Sequence, residues 1–503
     1  MKLSELIQNV GIIKFYNTIY GQTILKDDIH ISRVQYNSSQ VQKNDLFVAI
    51  RGKNIDGHKF IGEAISKGAR VVVVEDETSL PDSLCMHQGV AKLVVLNSRK
   101  TLAQLANNYF NKPSEKLQVI GITGTNGKTT TTYLVKQMLE QSNFPNVKVG
   151  LIGTIEYDDG KKTFPATHTT PESLEIQSLI SEMVNNNCTH VVMEVSSHAL
   201  HQHRIEGINF KAAIFTNLTQ DHLDYHNSMD EYLNAKKILF DSLSPSSFAV
   251  TNIDSEYGKK IVANTKANVI SYSTKKGADI SAHETLFTTQ GFTTTIFNHK
   301  SNTGLISASL LGNFNLENFL AAYSTLYSLG IKWENINSVV QKLKPAPGRL
   351  QKIASPKNWI AIVDYAHTPD ALKNCLEAIR PFVQEGKKLI TLFGAGGDRD
   401  KSKRSIMGSI AEQLSDVVVV TSDNPRTENP EKIIEDILTG MKKNKITIIE
   451  SDRKIALTKA LEQANSGDVV VVAGKGHEEY QVIGNNKIHF SDVEIIEEYI
   501  KNL

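Results

Sequence analysis

Cysteine is scarce: Cys85, Cys188 and Cys375 are the only ones in 503 residues, far apart and without a Cys-x-x-Cys pair. That excludes a disulfide framework and a cysteine-built structural zinc site, and it fits thiols kept reduced in a cytoplasm. Long apolar runs are missing as well. No stretch reaches the ~18 residues of a membrane span. The amino terminus, MKLSELIQNVGIIKF, lacks the extended apolar core of a secretory leader, so a cytoplasmic protein without membrane insertion is expected. An excess of one charge sign is missing too. Lys+Arg number 55 and Asp+Glu 54, a net charge of +1, so no global field recruits nucleic acid or an anionic membrane. Repeats and low-complexity segments are absent. What remains is 40% hydrophobic and 22% charged residues, the composition of a globular chain long enough for about two to four domains.

Residues 1 to 97 pattern as a small α/β domain. DLFVAI and ARVVVVED read as strands, and FIGEAISKG between them as a helix. TLAQLANNYFNKPSEK reads as a helix running into a linker. The region 98–345 opens with the strand LQVIGITG and the helix TTTTYLVKQMLEQS. THVVMEVSSH, KAAIFTNLT and SSFAVTNID add strands, and SLEIQSLISEMVN, SMDEYLNAKKILFDSL and NLENFLAAYSTLYSLG add helices. The Thr- and Ser-rich run from about 268 to 310 is expected to contribute antiparallel strands, and KPAPGR marks a boundary near residue 346. From 346 to 503 the strands WIAIVDYAH, KLITLFGAGG, DVVVVTSDNP, KITIIES and DVVVVAGKG alternate with helical stretches, the rhythm of a doubly wound sheet. Ligands of such sheets gather beyond the carboxyl ends of the strands. DYAHTPD, GAGGDRDKSKR, SDNPR and GKGHEEY all fall there, where a purely structural domain needs only turn residues.

The stretch GITGTNGKTT almost fits the Walker pattern G-x-x-x-x-G-K-[ST]. Gly127-Lys128-Thr129 supply its end, but Ile122 stands where the first glycine belongs. A strand precedes the stretch and a helix with threonines in its first turn follows, which is the setting of a phosphate loop. Gly124, Thr125, Asn126 and Gly127 would turn backbone N–H groups toward phosphates at a helix N-terminus. Lys128 would add a point charge, and Thr129 or Thr130 would reach Mg²⁺. The plain alternative is a glycine-rich strand-to-helix turn. Taken alone, Glu194 in MEVSSH is a hydrogen-bonded turn carboxylate, Lys236 a solvated helix charge, and DNPR a proline turn with a surface arginine. His222-x-Asp224-x-His226 has a spacing that zinc also uses, although a neighbouring phosphate loop favours magnesium. The expected fold is α/β in three domains: a small N-terminal α/β domain, a central P-loop-type ATPase domain with a mostly parallel sheet, and a C-terminal Rossmann-like doubly wound domain.

GTNGKTTT, HTTPE, MEVSSHAL, TNLTQDHLDYH, NAKK, LLGNFNLEN, PGR, DYAHTPDAL, GAGGDRDKSKR, DNPR and AGKGHEEYQ follow one another between residues 37 and 481. In that order they resemble the Mur ligase family, and within it the members that add diaminopimelate to UDP-N-acetylmuramoyl-L-alanyl-D-glutamate. Folylpolyglutamate synthase shares the superfamily but not this type of N-terminal domain or the DNPR loop. The resemblance implies an ATP-dependent amide ligase of peptidoglycan precursor synthesis: ATP phosphorylates a carboxylate, and the amine displaces phosphate from the acyl phosphate. It implies catalytic roles for Lys128, Glu194, His222 and Lys236, and Mg²⁺ held by Thr129, Glu194, His222 and Lys236. Lys236 is expected as a carbamate, because an ammonium beside magnesium would be repelled while a carbamate supplies an anion.

Asn315, Asn318 and Arg349 match adenine and ATP positions of the family. Ser38 and Lys53-Asn54-Ile55 match contacts to the UDP end, and His168, Thr169, Thr170, Ser196, Gln202 and Arg204 match muramyl-peptide contacts. Arg399, Asp423, Asn424, Pro425, Arg426, Gly474 and Glu478 match the set that reads the incoming amino acid. Arg426 would fork onto the distal carboxylate of meso-diaminopimelate, a group L-lysine lacks. Two places depart from the family. Asn37-Ser38-Ser39 stands for Asp-Ser-Arg, and Leu350-Gln351 follows Gly348-Arg349 where Met-Glu is frequent. The expected partners are therefore the UDP-muramoyl dipeptide and meso-diaminopimelate, bound by a monomer whose split site needs hinge closure. Two rivals stand beside this reading: a ligase of the same superfamily adding lysine or glutamate, and a nucleotide-gated binding protein without catalysis.

Overall fold

Valine runs set the sheets. Val71–Val74, Val417–Val420 and Val469–Ala473 are buried at every position, as strands covered on both faces must be. The computed structural model describes the chain except residues 53–54, 143–145, 289, 299–300 and 443 and the side chains at 224 and 301–303. It divides into two compact units. One comprises Met1–Ser281, Asn298–Ser301 and Leu320–Ile336, the other Ala282–Phe297, Asn302–Phe319 and Asn337–Leu503.

Two larger sheets shape the first unit, beside the small hairpin Thr18–Ile19/Gln22–Thr23. In the N-terminal one, Val34–Gln35, Leu46–Val48, Val71–Val74 and Ala91–Val95 run parallel in that order, and Ile12–Tyr16 closes the edge antiparallel. The helix Ser98–Tyr109, capped by the Asn97 side chain, sends Leu102 and Leu105 into the same core as Leu46, Val71 and Leu93. In the second sheet the strand Gln118–Thr123 is central. His190–Glu194 and then Val149–Ile152 lie on one side of it, and Phe210–Phe215, Phe248–Asn252 and Asn268–Ser273 on the other, all parallel. The antiparallel expectation for the run from 268 onward holds in part: Ile280–Thr288, Gly291–Asn298 and Ser301–Ala308 are successive neighbours separated by two residues each, a spacing that only antiparallel pairs allow, whereas the first strand differs. Asn268–Ser273 is parallel to Phe248–Asn252, and Ile280 and Ser281 continue parallel beside it. The connection between Asn252 and Asn268 contains the short helix Gly258–Ile261, so the chain crosses over instead of turning back. Thr and Ser content signals strand, not direction.

In the second unit Ile360–Asp364, Val469–Ala473, Leu389–Phe393, Val417–Val420 and Ile446–Ile449 form a parallel sheet in that order, with Gln351–Ala354 antiparallel at the edge. The last parallel strand in sequence is inserted beside the first, so carboxyl ends from both halves of the unit share one rim. No described helix is long and apolar enough to cross a membrane.

Candidate active site

The parallel order places the ends of His190–Glu194, Gln118–Thr123 and Phe210–Phe215 on one edge, with Glu194 level with Ile122 and Phe215 with Thr123. The glycine loop leaves that edge. At Gly124, φ is +154° and a Cβ would sit 1.9 Å from Thr216 Oγ1, so only glycine fits. Gly127, at φ +85°, turns the chain into the helix Lys128–Gln141. The segment after Phe215 clasps the loop: Thr125 N donates to Asn217 O at 2.9 Å, Asn126 N to Asn217 Oδ1 at 3.0 Å, and Thr216 Oγ1 to Asn126 O at 2.6 Å. Lys128 Nζ donates to Gly124 O and Thr125 O at 3.0 and 2.8 Å. It thus lies along its own loop, beside the N–H groups of a helix start, the local geometry that suits an anion.

Glu194 is fully buried. Its hydrogen bonds come from neutral donors: Thr154 N at 2.8 Å on one oxygen, Thr129 Oγ1 and Thr154 Oγ1 at 3.0 Å each on the other. A buried carboxylate held by neutral groups is costly, and an oxygen cluster beside a phosphate loop suits a hard cation. Among the described residues no three His, Cys, Asp or Glu side chains gather as a protein-only metal site requires. Magnesium, which takes one or two carboxylates plus phosphate oxygens and water, fits this donor set better than zinc.

Lys236 is not the solvated charge that helical spacing alone suggests. It sits 1% exposed in the helix Met229–Asp241, among Tyr232, Leu233, Leu239 and Phe240. Its ammonium donates to Gly124 O at 2.9 Å, the same carbonyl that Lys128 uses, and lies 4.5 Å over the Tyr232 ring. Burial first, and the Lys128 charge second, hold its pKa well below the ordinary lysine value, with Asp221 opposing. Tyr232 OH is 3.2 Å from Thr125 Oγ1. His222 stands at the helix edge with Nε2 3.5 Å from Asp221 Oδ2, its ring 4.9 Å from His198 and 6.2 Å from Tyr232. The loop, Tyr232, Lys236 and His222 are contiguous, and Glu194 joins them through Thr129.

Of the expected muramyl-peptide residues, Thr169, Thr170, Ser196, Gln202 and Arg204 form one network with Glu194. Thr170 Oγ1 donates to Glu194 O at 2.8 Å and accepts from Ser196 N at 3.0 Å, while Thr169 Oγ1 is 3.1 Å from Thr154 Oγ1. Arg204 donates to Thr170 O and Gln202 Oε1 at 2.7 and 2.8 Å, and its Nε is 3.1 Å from Glu172 Oε1. His168 is exposed, and its carbonyl accepts from Tyr157 OH at 2.6 Å. Nearer the N-terminus, Ser38 is buried and donates to Glu63 Oε2 at 2.6 Å, and Ile55 is exposed. Lys53 and Asn54 lie outside the described residues. Tyr36 donates to Glu175 Oε1 at 2.7 Å and so ties this segment to the helix Ser173–Asn185.

In the second unit the rim gathers the remaining set. Asp423 and Asn424 are buried, Arg399 is exposed, and Gly474 holds φ +118°. Arg426, at φ +52°, donates from N to Val482 O at 3.0 Å and from Nη1 to Gly397 O at 2.7 Å. Asn424 Nδ2 donates to Glu478 Oε2 at 2.9 Å, and Pro425, between Asn424 and Arg426 in the chain, is buried. Arg349 stacks 4.7 Å over Tyr365. Asn315 and Asn318, on the helix Asn313–Ser328, hydrogen-bond one another at 3.3 Å.

One rim feature escaped the sequence. Arg453 and Asp492 form a two-pronged ion pair at 2.8 and 2.8 Å with both side chains 0% exposed. The same guanidinium donates to Ser422 O and Ala473 O at 3.3 and 3.1 Å, the residues just before Asp423 and Gly474. Asp492→Ala should lower the melting temperature of the second unit strongly, because an unpaired buried guanidinium costs ~3–5 kcal/mol. Scanning calorimetry checks this, and an unmoved transition would refute it.

A glycine loop closing on a helix start, a buried carboxylate one strand away and a separate doubly wound unit define a multidomain α/β protein of the phosphate-loop type. The chain belongs to the Mur ligase family. The family's catalytic-domain model matches residues 30–110, its middle-domain model 122–326, and its glutamate ligase domain model 348–476. The chain is 43% identical over 100% of both lengths to UDP-N-acetylmuramoyl-L-alanyl-D-glutamate--2,6-diaminopimelate ligase of Clostridium tetani. It is 44% identical, over 98% of this chain and 97% of the relative, to the protein of the same name in Gloeobacter violaceus. A solved ligase of that name superimposes with a TM-score of 0.69 at 29% identity, covering 97% of this chain and 99% of the other. The MurF ligase of Thermotoga maritima, solved with ADP, shares the fold at a TM-score of 0.61 and 21% identity, over 93% of this chain and 98% of that one.

Proposed function

We propose that the chain joins meso-2,6-diaminopimelate to the D-glutamate of UDP-N-acetylmuramoyl-L-alanyl-D-glutamate, driven by ATP, in peptidoglycan precursor synthesis. One observation carries the reading: Lys128, Thr129, Glu194 and Lys236, from three separate sequence motifs, meet around the Gly124 loop. Full-length relatives named for that reaction support it. Residues 1–97 would bind the UDP end, 98–345 would bind ATP, and 346–503 would bring the amino acid.

In this reading the loop N–H groups that Asn217 does not take, those at the helix start from Gly127 to Lys128, cradle the phosphates, and Lys128 exchanges its loop carbonyls for β/γ-phosphate oxygens. Asn315, Asn318 and Arg349 hold the adenine side of ATP. Thr129, Glu194, His222 and a carbamoylated Lys236 would hold Mg²⁺, which supplies neutralisation of phosphate charge. Thr170, Ser196, Gln202 and Arg204 hold the muramyl peptide. Arg204 is set by Glu172, which also pairs with Arg99 at 3.0 Å. The substrate carboxylate attacks the γ-phosphorus and ADP leaves. The amine nitrogen then attacks the acyl carbon, loses its proton, and phosphate departs. The chain's contribution is positioning and charge neutralisation. The setting is cytoplasmic and the acting form a monomer.

The test is ADP release with the UDP-muramoyl dipeptide, ATP and Mg²⁺, offering meso-diaminopimelate and L-lysine separately. Diaminopimelate is expected to be preferred ~10- to 100-fold in kcat/KM, the value of one charge-assisted contact to Arg426. Arg426→Ala should erase most of that preference. Release with lysine alone would keep a ligase and remove Arg426 as the reader. Release with neither amine would point to nucleotide-gated binding.

A further inference from the structure

Lys475 is a buried cation at the rim that no expected role explains. It lies between Gly474 and Gly476, directly after the strand Val469–Ala473, and its side chain is 0% exposed. Its ammonium donates to Asn424 Oδ1 and Glu478 Oε2, each at 3.1 Å, and stands 3.6 Å from Asp423 Oδ1. Asn424 Nδ2 donates to the same Glu478 oxygen at 2.9 Å, and Asn424 Oδ1 also accepts from Val482 N at 2.9 Å. The rings of Tyr480 and Phe490, 5.7 and 6.0 Å away, close the other side with apolar surface.

An ammonium has three donors and no acceptor, and burying one requires partners. Here two carboxylates, Asp423 and Glu478, face one ammonium. The cluster therefore carries one surplus negative charge. It also carries one unfilled acceptor, because Asp423 Oδ1 is buried without a hydrogen-bond partner. The space beside it is open: a Cβ on Gly474 would meet nothing nearer than Asp423 Cγ at 3.8 Å. A surplus charge and a free acceptor next to open space suit an incoming ammonium.

We propose that Lys475 is a positioning residue for the incoming amino acid, locking Asn424 and Glu478 in place so that Asp423 and Glu478 together receive an ammonium of the substrate. The proposal rests on the ligase reading above. Lys475 touches protein groups only, so it acts through its neighbours. Its loss should be felt by one substrate out of three.

The experiment measures KM for meso-diaminopimelate, ATP and the UDP-muramoyl dipeptide in the full chain. The variants are Lys475→Met, Lys475→Arg, Glu478→Gln and the double Lys475→Met/Glu478→Gln. Lys475→Met should raise KM for diaminopimelate ~10- to 100-fold while the other two KM values hold. Lys475→Arg should recover part of this, since the charge stays and only the donor geometry moves. The double variant should cost no more than its worse single parent. A uniform rise in all three KM values, multiplicative losses in the double variant, or a lower melting temperature with unmoved KM would overturn the proposal. If Lys475→Met does not fold, the same three-way comparison on Lys475→Arg decides. A wild-type chain silent with diaminopimelate would sink the ligase reading itself, before any variant is compared.

Discussion

Lys128→Ala is expected to yield a folded chain that releases no ADP in the presence of all three substrates. The structural cost is small. Lys128 donates to two loop carbonyls, and one of them, Gly124 O, keeps its second donor in Lys236. Losing such a bond costs on the order of 1 kcal/mol, against the ~5–15 kcal/mol that holds a domain together. The loop's shape does not depend on this side chain either. The Gly124 and Gly127 conformations and the clasp by Thr216 and Asn217 fix it. The catalytic cost is large, because the lysine charge matters most where phosphate charge shifts during transfer. Removing a cation from a transferring phosphoryl group costs ~10³-fold or more. ADP release and a melting curve on the same preparation separate the two terms. Turnover within tenfold of wild type in a folded variant would remove Lys128 from the mechanism.

The site was legible where its chemistry is local. A glycine loop between a strand and a helix announces itself by residue type and spacing, and the structure puts Lys128 at the first position of that helix. The helix SLEIQSLISEMVN forms over Ser173–Asn185 because its apolar residues recur at helical spacing with Ile176, Ile180 and Met183 buried. Glu194 and DNPR were legible only as strand-end polar residues, and their meaning came from resemblance. Lys236 was legible from resemblance alone, since nothing in NAKK says which lysine is buried. Tyr232 was within reach, standing one helical turn before Lys236 and hence on the same face. Thr154, Lys475 and the Arg453–Asp492 pair were not. Each acts across contacts between residues distant in sequence, such as Thr154 on Glu194 or Arg453 on Ala473, and a pattern within one element does not encode those. The parallel direction of Asn268–Ser273 was hidden for the same reason: composition does not carry the crossover.

Lys236 carries the second large effect. A carbamate forms when a neutral amine attacks CO₂, so the residue must first lose its proton. An ordinary surface lysine is almost wholly protonated near neutral pH. Lys236 differs: burial and the neighbouring Lys128 push its pKa well down, so its neutral amine is easier to reach than that of a surface lysine. The sign follows directly. Raising pH or bicarbonate should increase carbamoylation and activity together, and exhaustive removal of CO₂ at mildly acidic pH should lower both reversibly. Lys236→Ala should lose turnover by ~10²- to 10³-fold, the scale of deleting one preorganised electrostatic group. It should also stop responding to bicarbonate. Lys236→Arg should not rescue, because a guanidinium forms no carbamate and stays cationic beside Lys128. Mass spectrometry under native conditions gives the readout that activity does not, one added CO₂ on the wild-type chain and none on either variant. Full activity of the wild type in CO₂-free buffer, with no added mass, would leave Lys236 as a buried lysine tethered to Gly124 O and would hand its charge role to the remaining oxygen ligands.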